Sequence, residues 1–489
     1  MAVNTWDGAE DTDWNREVNW NTTGETDRVP TGADDVVIAN VTNDPVIPSS
    51  TDPTINSLAI ESGGNLDGNG NEITIDGENG AGLAVDLDGI ITGTDTDITI
   101  TTAAATDLDL ECTGSIRNLT INHASCAAVL IAPASITGDL TITAGSLNTH
   151  SGDNRALTVT GNTSLGAGAG AGGADEATLT CNASTISLGS TYSSDYGLYV
   201  KRGGTFVGGT GAHTMGSISM EDYATAKLTL TTHASGTTLN AGDYGSDFPF
   251  TVGSDSTVTS TNSLVVIATS KSESTYSINA HNKLNDLTIN SSGKTVSLEQ
   301  ATTLAGDLTI TAGTLDTKSG SNYALTVTKH IDVTGKLEGR TSAISCGTMT
   351  IRDVAEVSSG GTITVTGNDK ANTDVAGRAG GYVWRNHETD GTAFAPSAGT
   401  VHFVGTGIAN GYIAESKFFN FIMDITGGGD IQWVDSVGDT MTIGGDCTIV
   451  EGQFKRNAES DTLVVTGDVS IESGGRLGDD DDTGPNTFG

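Results

Sequence analysis

Proline and aromatic residues are scarce, with 8 Pro and 5% Phe, Trp and Tyr in 489 residues. Few aromatics argue against tandem β-sandwiches, which come as units of about 100 residues built around a buried Trp. Positive charge is also short: 22 Lys and Arg stand against 61 Asp and Glu, a formal charge of −39. Such a surface repels phosphate backbones and anionic headgroups, so neither nucleic acid nor a membrane is an expected partner. No apolar run of about 18 residues occurs, which removes a membrane-spanning helix. The five cysteines are an odd set without a CxxC pair, so no disulfide framework is expected.

What the chain does have is repetition. Residues 118–160 and 286–328 align without a gap at an offset of 168 residues, placing Leu119 on Leu287, Leu140 on Leu308 and Gly145 on Gly313. A looser third copy at 445–477 sets Cys447, Ile449 and Gly452 where Leu140, Ile142 and Gly145 stand. Each cassette is written in short alternating runs such as L-T-I-T and L-T-V-T. Apolar residues two apart share one strand face, and the interleaved β-branched Thr suits the other. Successive runs begin about 17 to 22 residues apart, with Gly, Asn, Asp and Ser between them for corners. One such coil cannot bury its own apolar face, so neighbours must stack. The expected fold is all-β: a right-handed parallel β-solenoid (β-helix) of some 20 coils at roughly 21 residues each, with an N-terminal cap and protruding loops.

In chain order, residues 1–50 hold three of the five Trp (Trp6, Trp14, Trp20) and read as a cap or attachment segment over the first coil, ahead of a strand at 35–41. An aromatic carbohydrate platform is the functional alternative for these rings. Residues 51–369 read as solenoid, interrupted by a Gly/Ala-rich loop at 165–177 and an irregular stretch at 190–262. Arg, Trp, His, Phe and Pro gather at 370–400, which reads as one protruding loop, where binding usually sits. Residues 401–478 read as C-terminal coils containing the third repeat, and 479–489 as an acidic tail. Cys447 replaces an aligned core Leu and is expected to be buried. Cys112, Cys181 and Cys346 lie in strand-like runs, whereas Cys126 aligns with Lys294 and is expected at the surface.

Catalytic signals are thin. Asp86 and Asp88, and Asp107, Asp109 and Glu111, are spaced to share a strand face about 7 Å apart, compatible with a glycosidase pair. With 61 acidic residues, a solvated face is the preferred reading. Asp67, Asn69, Asn71 and Glu78 fall at positions 1, 3, 5 and 12 of a calcium loop, but Glu72 stands where that loop requires Gly. No G-H-G, R-I-K, HExxH or serine elbow is found. No catalytic, cofactor or metal residue is therefore assigned, with Ca²⁺ kept as the one cofactor alternative.

The phrases LNDLTIN (284–290), GDLTITAGTLDT (306–317), FFNFIMDI (418–425) and NWNTTGETDRVPTGADDVVI (19–38) resemble repetitive β-solenoid proteins of phage particles and bacterial surfaces. The resemblance implies a fibre, decoration, adhesin or coat layer, many of which lack enzymatic activity, and a homotrimer as the assembly. The N-terminus shows neither the basic nor the apolar region of a secretory leader. A virion protein assembled in host cytoplasm needs no leader. The expectation is thus a non-enzymatic phage fibre or capsid-surface decoration, partnered with itself, other virion proteins and host-surface glycans. A bacterial or archaeal cell-surface adhesin or coat-layer protein is the first alternative. A polysaccharide-cleaving tailspike using Asp107, Asp109 and Glu111 is the second.

Overall fold

A computed structural model gives the architecture. It describes all residues except 93–95, 111–112, 115, 169–175, 190–196, 241–247, 270–272, 353–354, 368–380, 388–393, 395–397, 407–410, 415–416, 428, 435–439, 457–460 and 479–489. Strand accounts for 55% of the chain and helix for 1%, in about 16 turns of parallel β-solenoid. The coils fall into two compact units, Met1–Leu264 and Val265–Gly489. There are fewer turns than the expected 20 because some coils are lengthened between strands: Leu165 is followed on its face by Val200, and Ile218 by Phe250.

The coil geometry follows from the alternation. In the first unit Ile98 stacks on Leu119 and Leu119 on Leu140, always inward, while Thr99, Thr120 and Thr141 stack outward. In the second unit Leu287 stacks on Leu308 and Thr288 on Thr309. The inward aliphatic columns are fully buried. A bulge recurs in the coil on which Leu140, Leu308 and Cys447 stack, where register shifts after Ile121, Ile289 and Met423. The aligned glycines explain why it recurs. Gly145, Gly313 and Gly452 sit at φ of 92°, 85° and 92°. A Cβ there would also lie 2.2 to 2.7 Å from a carbonyl oxygen of the adjacent coil, so only glycine fits.

A second periodic device locks the corners. The Asn118 side chain accepts the amide of Asp139 at 2.8 Å, and Asp139 accepts that of Asn162 at 2.7 Å. Asp286 accepts from Asp307 and Asp307 from His330, at 2.7 and 3.0 Å. Asn420 accepts from Asp446 and Asp446 from Asp468, both at 2.9 Å. Each cassette thus runs a ladder in which one coil's side-chain oxygen receives the next coil's amide, satisfying a backbone donor that the corner would orphan.

At the N-terminus, strand Ala2–Trp6 pairs in parallel with Asp34–Ile38 and antiparallel with Trp20–Thr22. Trp6, Trp14 and Trp20 are all buried and meet edge to face, with Trp20 centred 4.9 Å from Trp6 and 4.7 Å from Trp14. The Trp6 indole N–H donates to the Asn43 carbonyl and that of Trp20 to the Trp14 carbonyl. Rings buried in this way offer no platform to a sugar. The C-terminal end differs. Strands Thr462–Val465 and Val469–Leu477 pair with Thr440–Ile443 and Cys447–Lys455 on one side, and no described strand follows them.

Three expectations are corrected. Residues 190–262 are no excursion: strands Leu198–Val200, Gly204–Val207, His213–Met215 and Ile218–Met220 continue the stack in register. Strands of three or four residues are too short for alternation to stand out. Residues 370–400 are not one loop, because Tyr382–Asn386 pairs with the core strand Ile344–Ile351. Trp384 and Phe394 are buried with ring centres 5.0 Å apart, while 370–380, 388–393 and 395–397 lie outside the described residues. Cys126 is 2% exposed rather than at the surface. The aligned Lys294 follows the same bulge and is itself half-buried, so the lysine's long side chain, not its place in the strand, suggested the surface. The Gly/Ala tract from 169 to 175, Cys112, Glu111 and the tail 479–489 also lie outside the described residues.

Candidate functional site

The acidic strand pairs were read as two separate sets, and the coils regroup them. Strand Leu83–Leu87 lies beside Ala105–Asp109, with Asp86 directly opposite Asp109. Asp88, two residues past Asp86, projects from the same outer side. Among the described residues, Asp86, Asp88 and Asp109 bring one carboxylate oxygen each to within 4.8 Å of the others. Asp107 does not join them; its register partner is Leu83. The missed signal was the coil length, which stacks Asp109 on Asp86. Sequence proximity instead links Asp109 to Asp107 and Glu111.

Electrostatics at this spot are unfavourable for three charges. Burial, and then the Asp88 and Asp109 carboxylates, push the Asp86 carboxyl above its usual range. The trio can relieve that repulsion by taking a proton or a hard cation, for which carboxylate oxygens are the natural ligands. Three carboxylates supply only part of the six to eight oxygens Ca²⁺ takes, the rest falling to water.

The calcium-loop spacing at 67–78 does not build a site. Asp67 Oδ1 already accepts the Asn69 amide at 2.9 Å, and Asn71 Oδ1 accepts that of Ser50 at 3.1 Å. The Asn71 side-chain amide donates to the carbonyls of Ile47, Pro48 and Gly68. These residues lock a corner, which explains their type and spacing without an ion.

The described cysteines and His213 are withdrawn from solvent. Burial raises the Cys126 and Cys447 thiols to about 11 and Cys346 to about 12, and raises Cys181 as well. A thiol held protonated is no nucleophile. His213 is buried against Phe206, and burial lowers it to about 4, outweighing the pull of the Gly208 backbone. A shallow depression in the second unit, with no enclosed volume, is lined by Gly361, Ile363, Phe394, Val401 and Phe419, with Ser359 and Thr400 the polar members and no titratable side chain. None of the described helices is long and apolar enough to cross a membrane.

A family model described as a domain of unknown function (DUF8693) matches residues 5–104. That stretch takes in most of the tryptophan cap, the first coils, and Asp86 and Asp88 of the trio. No curated protein and no solved structure matches the chain. Fold and site together fit a structural, fibre-like β-solenoid.

Proposed function

We propose that the chain is a non-enzymatic structural component of a virus particle, a phage fibre or capsid-surface decoration. The observation that carries this reading is the cassette itself. Inward aliphatic columns, a recurrent glycine bulge and an Asn/Asp corner ladder recur in three copies. Such repetition serves a stack that nearest-neighbour interfaces stabilise. The outer faces carry Thr and acidic side chains, which suit a solvated, mutually repelling surface. Four described cysteines are free and buried, which fits folding in a reducing compartment such as host cytoplasm. Self-association as a trimer, contact with other virion proteins and contact with host-surface glycans belong to the same proposal.

Mass spectrometry of purified particles and of washed cell envelopes from one culture tests it. Recovery in particles is expected. Recovery only in envelopes would replace the virion reading with a cell-surface adhesin or coat-layer protein. Glycan cleavage lost in Asp107→Ala or Asp109→Ala would replace it with a tailspike enzyme.

A further inference from the structure

We propose that one corner of the first unit, built by Lys201, Arg202 and Tyr223, binds a saccharide that ends in a carboxylated sugar. This rests on reading the chain as a part that touches host-surface glycans, and it names the site and the chemistry of the ligand.

The corner is placed by the coil register. Strand Leu198–Val200 stacks on Ile218–Met220, so Lys201 and Arg202 leave one coil where Glu221, Asp222 and Tyr223 leave the next. Both cations are half-buried and held by rings. Lys201 Nζ lies 5.2 Å from the centre of the Tyr199 ring, and Arg202 Cζ lies 5.7 Å from that of Tyr223.

The charge balance sets this pair apart. Arg117, Arg340 and Arg352 each meet a carboxylate, of Asp97 at 2.6 Å, Asp316 at 3.0 Å and Asp332 at 2.7 Å. Among the described residues neither Lys201 nor Arg202 has an ion pair, in a chain with 61 acidic residues. The two carboxylates beside them are engaged otherwise. Glu221 accepts from the Tyr199 hydroxyl at 3.1 Å and from the Arg202 amide at 2.9 Å. Asp222 accepts from the Ser254 hydroxyl at 3.2 Å and from the Asp255 amide at 2.6 Å. Both acids thus fasten the backbone of the corner and leave the two cations to an outside anion.

The ligand follows from charge and shape. Cations already fixed on rings lose little freedom when an anion arrives, and a planar guanidinium takes a carboxylate through two parallel hydrogen bonds. Tyr223 is 38% exposed beside that charge, and its ring offers a flat apolar surface to the C–H side of a sugar. A phosphate backbone, charged at every step, would run from the corner onto a surface of net −39 and be repelled. A saccharide with one terminal carboxylate sets its single charge on the cations and its neutral remainder on the ring.

The test is a saturation-transfer NMR titration of the full chain with sialyllactose and with a glucuronyl-galactose disaccharide, against lactose and acetate. Saturable binding to one or both acidic saccharides is expected, about tenfold tighter than lactose and weakened as salt screens the charge. Whichever binds tells a sialic from a uronic acid. Arg202→Gln and Tyr223→Ala should each weaken binding about tenfold, with thermal unfolding unchanged. Lys201→Gln should weaken it as well, whereas Lys294→Gln on the second unit should leave it as it was. Binding to neither saccharide, or binding untouched by Arg202→Gln and Lys201→Gln, would overturn the proposal. So would acetate bound as tightly as the saccharide, since the ring would then add nothing. Saccharide binding by a chain found only in envelopes would remove the virion reading and leave this inference standing; a particle-borne chain that binds neither would do the reverse.

Discussion

The two ends of the chain solve one problem in opposite ways. Any solenoid must end in an apolar layer and an unpaired strand edge. At the N-terminus three tryptophans fold over the first coil, with the indole N–H groups of Trp6 and Trp20 satisfied and an antiparallel strand turned back along the edge. The adjoining Asp34 is buried, which alone would raise its carboxyl. Arg28 and the amide and hydroxyl of Thr31 outweigh that and hold it below the usual range. Toward the C-terminus the coil pattern continues to Ile471 and Leu477, with no aromatic ring over them among the described residues. The lesson is that the repeat does not cap itself. Closure takes dedicated residues, which at the N-terminal side are the three tryptophans.

The comparison can be broken most forcefully at the cap. Trp20→Ala should cost about 3–5 kcal/mol, read by chemical denaturation, with hydrogen exchange accelerating first at 2–38. Next comes the paired test along one inward column. Ile449→Ala should cost about 2–4 kcal/mol, whereas Ile471→Ala, one coil further, should cost less than about 1 kcal/mol. Equal losses would mean that the last coil is covered.

Acid sharpens the contrast by moving the weak point inside the stack. The ordinary His value is 6.5, and His213 in the fold titrates at about 4. The unfolded chain therefore takes up this proton first as pH falls. Stability attributable to His213 is whole above 6.5, declines through the window down to about 4, and loses about 3 kcal/mol in all. The Asp34 pair loses its contribution in the same direction but lower, its share still whole above 3.8 and lost only below. At pH 4.5 exchange should thus quicken at 204–239 while the cap stays protected. The smallest effect belongs to the carboxylate trio. Asp86→Asn removes one of three like charges and should stabilise the first unit by about 0.5 kcal/mol at pH 7, with the gain shrinking as acid neutralises Asp86 in the parent chain.

Much of this was legible in the sequence, for identifiable reasons. The alternation around Leu140, Leu308 and Cys447 fixed both strand and face, and the alignment of Gly145, Gly313 and Gly452 marked a backbone constraint before its φ was known. What escaped was information carried between coils. Asp109 meets Asp86 only when coil length is known, and the Asn118–Asp139–Asn162 ladder looks like unrelated turn residues until the corners stack. Cys126 was misplaced because its aligned residue is Lys294, whose long side chain reaches solvent from a half-buried position. Trp384 and Phe394 were taken for loop residues because their neighbours are polar, although the rings themselves belong to the core.

Hydrogen exchange of the full chain, followed at 2–38 and 447–477, tests the end asymmetry most directly. The account predicts slow exchange across the tryptophan cap and at 447–455, with fast exchange at 469–477. Protection at 469–477 equal to that at 447–455 in the isolated chain would contradict it, for the C-terminal coil would then already be closed.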